Sequence, residues 1–236
     1  MDISRSPGSR VPLIILCLAL CLGITSCRSA AHRAMAQDTV QPGPVAAPVE
    51  PASPDLPLQK IASNKNLAWP LEDVRLVVDK KARTISVFSG ETFLKSYPVA
   101  FGDNARGPKT REGDQRTPEG EYYVLKYTSP SFGRCFYIAY PNLRDAQRAL
   151  DGGRISQSRF KQIKKSLEKK QKPPHDTGLG GLILLHGTRD RSQNGLTATD
   201  WTLGCIAMEN AHILELLDAV PDSARPRMTI TPWPPD

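Results

Sequence analysis

The stretch VRLVVDKKARTISVFSGETFLKSYPVAF, residues 74–101, decides the fold class. Val74 to Val78 is a strand-like aliphatic run, and Asp79-Lys80-Lys81-Ala82-Arg83 reads as a polar turn. Thr84 to Ser89 then alternates Ile85 and Val87 with polar neighbours, Gly90-Glu91 turns the chain again, and Thr92 to Phe101 supplies a third strand. Successive side chains of a strand point to opposite faces, so alternation over six residues bounded by turn chemistry marks a half-buried strand. Three such runs joined by short turns make a β-meander.

Toward the carboxyl end the pattern stays mostly β. Gly102 to Gly113 is a loop rich in Gly, Pro and charge, and Glu121 to Tyr127 and Arg134 to Tyr140 are two further strands rich in Tyr, Val and Ile. A helical insertion follows. Asn142 caps a helix to about Leu150 that Gly152-Gly153 stops, and Ser156 opens a basic helix through Phe160, Ile163 and Leu167 that Pro173-Pro174 ends. The basic residues from Lys161 to Lys172 suit a solvated face, with a surface tracking an anionic polymer as the rival reading. Gly181-Leu182-Ile183-Leu184-Leu185 is a near-continuous apolar run, hence a buried central strand with His186 at its end. Cys205 then precedes a helix carrying Ile213, Leu214, Leu216 and Leu217, and Met228 to Thr231 forms a last short strand before a Pro-rich tail that includes Trp233. The order predicts a mostly β domain, a β-sandwich or barrel-like core with a helical insertion and a short helix after Cys205.

Toward the amino end the chain changes character. Arg5 and Arg10 precede an apolar run from Val11 to Ile24, too short to span a bilayer as a mature helix, and the run ends Gly23-Ile24-Thr25-Ser26-Cys27. An aliphatic residue, two small residues and a cysteine resemble a lipobox, so residues 1–27 read as a lipoprotein-type signal peptide with Cys27 as the lipidated residue. An ordinary signal peptide cut near Ala34 or Ala36 is the alternative. Residues 28–70, rich in Pro, Ala, Gln and Ser, read as a disordered tether, and residues 71–236 as the folded domain. Both readings place the working part outside the cytoplasm. The lipobox reading adds a membrane anchor, with the outer membrane favoured because Arg28 stands where aspartate often marks inner-membrane retention.

Net charge is +7 with a sequence pI of about 9.2. This suits an acidic polymer or surface, but no RNP-like motif, zinc-finger spacing or helix-turn-helix pattern accompanies it, so nucleic acid is not an expected partner. Of five cysteines, Cys17, Cys21 and Cys27 fall in the targeting segment, leaving Cys135 and Cys205 in the domain. An oxidising compartment invites a disulfide between them. The surroundings of Cys205 argue instead for a reactive thiol, with Cys135 a small buried residue in a strand.

Those surroundings are Leu185-His186-Gly187 and, after a polar loop, Asp200-Trp201-Thr202-Leu203-Gly204-Cys205-Ile206-Ala207-Met208. A thiol attacks as thiolate, and an imidazolium or a helix amino terminus close by stabilises that form. His186 on a rigid strand end can face the thiol across the loop. Gly204 allows backbone N–H groups to approach a reacting carbonyl as an oxyanion hole with the Cys205 amide. Taken singly, a cysteine near a helix start is more often a buried hydrophobe, and a strand-end histidine a surface residue. Zinc is a further rival, but no CxxC, HxxxH or carboxylate at ligand spacing accompanies the pair, so no metal and no cofactor is expected.

Strand-His-Gly, a loop and Thr202-x-Gly204-Cys205-Ile206-x-Met208 resemble the active-site signature of the L,D-transpeptidase catalytic domain, the YkuD family. Gly107-Pro108-Lys109, Gly113-Asp114 and Thr117-Pro118-Glu119-Gly120 resemble its loop ending in Thr-Pro-x-Gly, and Tyr140-Pro141-Asn142 with Asp145 the stretch before its insertion, so the likeness runs from about Val74 to Ile230. The resemblance implies an enzyme acting on peptidoglycan stem peptides. Its Cys205 would attack the bond after the third residue, with His186 as base and Gly204 in the oxyanion hole; the acyl group then passes to an amine for cross-linking, lipoprotein attachment or D-amino-acid exchange. Gly187 and Thr202 match positions that support the imidazole, and Tyr140 and Trp201 are candidates to support or line the substrate cleft. Many relatives carry arginine two residues after the nucleophile, where this chain has Ala207; Arg189 and Arg191 in the His–Cys loop are candidate replacements. The Asp-Trp-Thr and Gly-Cys-Ile-Ala-Met forms look closer to the YafK-like branch. That branch makes an L,D-peptidase or amidase, with water as acceptor and a wall-linked lipoprotein among its partners, the alternative activity. A wall-binding lipoprotein with a decayed site is a third reading, disfavoured because His186, Gly204 and Cys205 are all intact.

Overall fold

A computed structural model describes residues 56–188 and 200–233. Strands β1 (Val74–Asp79), β2 (Thr84–Ser89) and β3 (Thr92–Pro98) form the expected meander. The two-residue β2–β3 hairpin turns through Gly90, whose φ of +56° is the left-handed conformation such a turn needs. Strands β4 (Gly120–Ser129) and β5 (Gly133–Ile138) form a second antiparallel hairpin, and β6 (Leu184–Gly187), β7 (Ile206–Met208) and β8 (Arg227–Ile230) complete one sheet in the order β3-β2-β1-β8-β4-β5-β6-β7. The last strand in sequence is thus central, parallel to β1 on one side and antiparallel to β4 on the other.

The sheet curls until its ends meet. Past β3, Ala100 pairs with Ala207 of β7, exchanging N–H···O bonds of 2.9 Å in both directions. Alternation then sorts the side chains. Leu76, Val87, Val124, Phe136, Leu185, Ile206 and Met228 point into one core, together with Ile213, Leu216 and Leu217 of α4 (Asn210–Ala219). The opposite face carries Cys135, Tyr137, Leu184 and Cys205 in a separate cluster.

The insertion forms as its caps predict. Helix α2 (Leu143–Asp151) opens with a reciprocal capping box, the Asn142 side chain accepting from the Asp145 amide at 2.8 Å and the Asp145 carboxylate from the Asn142 amide at 3.1 Å. Helix α3 (Gln157–Glu168) is capped by Ser156.

Four expectations need correction. Residues 58–64, assigned to the tether, form helix α1 (Leu58–Asn64), with Leu58, Ile61 and Ala62 buried in the main core. A single turn of apolar residues among prolines carries too little periodicity to stand out. What holds α1 is tertiary: the Leu58 amide donates to Glu215 of α4, while Lys95 Nζ reaches the Leu56 carbonyl at 2.8 Å and Glu215 at 3.3 Å. The third strand ends at Pro98 rather than Phe101. The run from Gly181 becomes a strand only at Leu184, because Leu182 takes a φ of +52° and is 47% exposed. Cys205 is followed by β7 and not directly by the helix, so no helix amino terminus abuts the thiol. The described tail packs as expected, its Trp233 amide donating to Glu119 at 3.2 Å. Residues 1–55, with Cys27 and most of the tether, lie outside the described residues, as do 189–199.

Leu58→Ala removes a fully buried side chain at the contact that docks α1. It is expected to cost about 2–5 kcal/mol in urea unfolding; a change below about 0.5 kcal/mol, the range of ordinary surface substitutions, would mean that α1 is not part of the cooperative unit.

Candidate active site

The β5–β6–β7 ladder sets the site. Tyr137 pairs with Leu184, and β6 runs parallel to β7 with Leu185 beside Ile206 and His186 beside Ala207. Continuing that register by one residue places Cys205 beside Leu184, so His186 and Cys205 are diagonal neighbours on one face. Strand spacing and rise put their backbones about 8 Å apart, within reach of the two side chains.

The imidazole is fixed from several sides. Its Nδ1 lies 2.7 Å from the Gly187 carbonyl, which can only accept, so Nδ1 carries the proton and Nε2 has the lone pair in the neutral ring. Phe132, at the tip of the β4–β5 hairpin, stacks on the imidazole with centroids 3.8 Å apart and planes at 24°. Trp201 meets it edge-on at 6.1 Å. Glycine is required at 187 by a close approach, since a Cβ there would lie 2.2 Å from Asn210 Oδ1.

The nucleophile candidate is held through its backbone. The Cys205 carbonyl accepts from Thr202 Oγ1 at 2.7 Å and from Thr117 Oγ1 at 3.4 Å. Thr202 also accepts from the Gly204 amide at 3.1 Å, and Thr117 from the Gly102 amide at 3.0 Å. Gly204 sits at φ +128°, where a Cβ would be 2.7 Å from the Arg116 carbonyl. Its contribution is therefore the missing side chain. Its own N–H is committed to Thr202.

The Cys205 thiol is half-buried, accepting from the Leu184 amide at 3.4 Å and donating to the Leu182 carbonyl at 3.7 Å. Burial pushes its pKa up, opposed by the Leu184 N–H and by the Lys109 ammonium. Burial thus favours the protonated thiol at rest. Lys109 is itself buried and paired with Asp114 at 2.7 Å, whose carboxylate also accepts from the amides of Thr110, Arg111 and Arg116. The thiol's apolar surroundings are Cys135, Tyr137 and Leu184, with Leu125, Tyr127 and Phe132 packed against the same cluster.

Several sequence candidates fall elsewhere. Tyr140 is fully buried, its hydroxyl donating to the Leu179 carbonyl at 3.3 Å, so it supports the loop from within and cannot line a cleft. Arg189 lies outside the described residues. Cys135 is buried in β5, and neither it nor Cys205 is in a disulfide. Sequence reasoning missed Phe132, which no motif marks. It also missed Thr117 as a clamp and Lys80, read as a turn residue. Lys80 is wholly buried, binding Glu119 at 2.7 Å and the Gly107 and Thr117 carbonyls at 3.1 Å, so it ties the Thr117 loop to the end of β1.

Alkylation of Cys205 by iodoacetamide is expected to rise with pH through and above the free-thiol range near 8.5. A rate already maximal and flat at pH 6–7 would mean a preformed thiolate. Thr117→Val keeps the shape but leaves the Gly102 amide unpaired, and should cost about 1–3 kcal/mol in urea unfolding; an unchanged midpoint would remove Thr117 from the clamp.

The family model of the L,D-transpeptidase catalytic domain, YkuD, matches residues 73–230. Among solved structures, Bd1075 of Bdellovibrio bacteriovorus is 22% identical over 69% of this chain and 49% of its own, with a TM-score of 0.42. The helical cell shape determining protein Pgp2 of Campylobacter jejuni is 20% identical over 67% of this chain and 47% of its own, TM-score 0.45. An L,D-transpeptidase of Mycobacterium smegmatis is 14% identical over 67% and 58%, TM-score 0.40. The chain thus spans about half the length of the first two structures. No curated protein matches it.

Proposed function

Because the chain belongs to the YkuD family of L,D-transpeptidase catalytic domains, we propose that it transfers peptidoglycan stem peptides through a thioester on Cys205. The observation that carries this reading is the shared sheet face of His186 and Cys205, with the Cys205 carbonyl held by Thr202 and Thr117.

The first step joins Cys205 Sγ to the carbonyl carbon of the stem's third residue and breaks that residue's bond to the terminal D-alanine. The thiol proton passes to His186 Nε2 as sulfur attacks, and from there to the leaving amine. Base assistance at the moment of attack suits a thiol that burial keeps protonated. The Gly187 carbonyl keeps Nδ1–H in place and supports the imidazolium that forms. The Cys205 amide is the backbone donor assigned to the developing oxyanion. In the second step an amine attacks the thioester, His186 takes its proton, and the thiol is restored.

Hydrolysis, with water as acceptor, is the second reading. Position 207 is a buried alanine paired with Ala100, so the nucleophile's strand offers no cation to hold an acceptor carboxylate. Residues 1–27 as a lipoprotein signal and the following Pro-rich stretch as a tether would carry the domain from a membrane, the outer one favoured, toward the wall. A wall-linked lipoprotein is the partner to test if free stems are inert.

Purified disaccharide-tetrapeptide is incubated with the chain lacking residues 1–27, a D-amino acid is added, and products are followed by mass spectrometry with Cys205→Ala as control. Cross-linked dimers or exchanged termini, absent in the control, are expected. Tripeptide alone would make the enzyme an L,D-peptidase. Equal product in the control would overturn Cys205 as nucleophile, and no product from stems or wall-linked lipoprotein would overturn both readings.

A further inference from the structure

The basic run after α3 does not end in solvent. The Tyr123 hydroxyl donates to the Gln171 carbonyl at 2.6 Å, and the Tyr137 hydroxyl to the Pro173 carbonyl at 3.4 Å. These two bonds strap residues 171–173 across the outer face of β4 and β5, the face that carries Cys205. Between the anchors, Lys172 is exposed and places Nζ 4.5 Å from the Tyr127 ring centroid and 5.8 Å from that of Tyr137. The two rings meet edge-on at 6.0 Å and pack in one cluster with Leu184 and Cys205. The two rings and then Leu184 therefore form one floor from the Lys172 ammonium toward the thiol.

We infer that Lys172 is an anion subsite of the donor site, holding a carboxylate of the bound stem peptide; this rests on the stem-peptide reading above. Lys109, whose charge reaches the thiol, is already committed, buried against Asp114. Among the described residues no carboxylate lies within ion-pair distance of Lys172. An ammonium resting on two tyrosine faces keeps its charge while losing little further freedom when an anion arrives.

The spacing defines the ligand. Tyr137 is opposite Leu184, which is beside Cys205, so the β5 ring of the floor is two strand spacings, about 10 Å, from the thiol, and the Tyr127 ring on β4 is one spacing farther. In a γ-linked glutamyl–diaminopimelyl stem, the glutamyl α-carboxylate lies seven bonds from the carbonyl that Cys205 would attack, about 8 Å when extended. A peptide with its scissile carbonyl at the thiol can therefore lay that carboxylate against Lys172. Lys170 is the internal control. It is exposed and sits 4.9 Å over the Tyr123 ring of β4, three strand spacings or roughly 15 Å from Cys205, whereas Lys172 also reaches the Tyr137 ring of β5.

The test is calorimetric binding of L-Ala-γ-D-Glu-meso-diaminopimelyl-D-Ala, and of the same peptide amidated at the glutamyl α-carboxylate, to the full chain carrying Cys205→Ala. The acid form is expected to bind roughly three- to fivefold tighter than the amide, the range of an exposed ion pair. Adding Lys172→Gln should abolish that preference, Lys172→Arg should restore it, and Lys170→Gln should leave it unchanged. Equal binding of acid and amide, no binding of either, or a preference that survives Lys172→Gln overturns the subsite. Turnover of the tetrapeptide by the unsubstituted chain separates the two readings. Turnover without charge preference sinks only the subsite, and charge-selective binding without turnover sinks only the proposed reaction.

Discussion

Ala100 and Ala207 exchange two backbone hydrogen bonds where the sheet's opposite ends meet, and the position of the nucleophile candidate follows from that contact. A curled sheet left open would present β7, three residues long, as an unpaired edge. Pairing with the continuation of β3 fixes it, and Cys205 is the residue immediately before that fixed strand. The contact also explains the alanine at position 207. Ala100 and Ala207 are both fully buried, with Trp201 packed over them, so a long cationic side chain has no room without displacing the tryptophan that meets His186. In this chain the departure from the family's arginine is also a packing solution.

Closure brings two loops so near that only small residues fit between them. A Cβ on Gly102 would fall 3.0 Å from the Gly204 Cα and 2.1 Å from the Gln115 carbonyl oxygen. Two threonines then do what longer side chains could not, each accepting from an amide of one loop while donating to the Cys205 carbonyl. The Thr117 side of this clamp is anchored by the buried Lys80–Glu119 pair. Such a pair adds little net stability but is costly to break from one side, because the remaining charge is stranded. Two positions of the Thr-Pro-x-Gly motif are thereby explained: Thr117 grips the Cys205 backbone and Glu119 grips the turn after β1.

Much of this was legible in the sequence for a physical reason: strands and capped helices advertise themselves through local periodicity. The meander from Val74, the Asn142 and Ser156 caps and the His186–Cys205 pairing of motifs are all local signals. What escaped depends on contacts between distant segments. Helix α1 is held by Glu215, more than a hundred positions away, and β8 is central although its four residues look like any terminal strand. Phe132 stacks on His186 only because the β4–β5 hairpin ends beside β6, a register that no single strand encodes. Lys80 looked solvated because lysines in turns usually are, and its burial follows from carbonyls and a carboxylate supplied by another loop.

The same division governs the thiol's chemistry. Cys205 beside a histidine suggests a preformed thiolate, yet the fold surrounds the sulfur with apolar neighbours and withdraws the helix terminus by inserting β7. Burial then outweighs the Leu184 amide and the Lys109 charge, and the pKa rises. On the proposed reaction a protonated thiol places the demand on the base, and the imidazole is held on several sides. One nitrogen is tied to the Gly187 carbonyl, one face is covered by Phe132, and an edge is met by Trp201. That enclosure fixes the tautomer and leaves Nε2 as the ring nitrogen with the lone pair. The aromatic face against the ring favours the cation that results. On the proposed reaction, reactivity is conferred at the moment of attack, by a base whose geometry is settled beforehand.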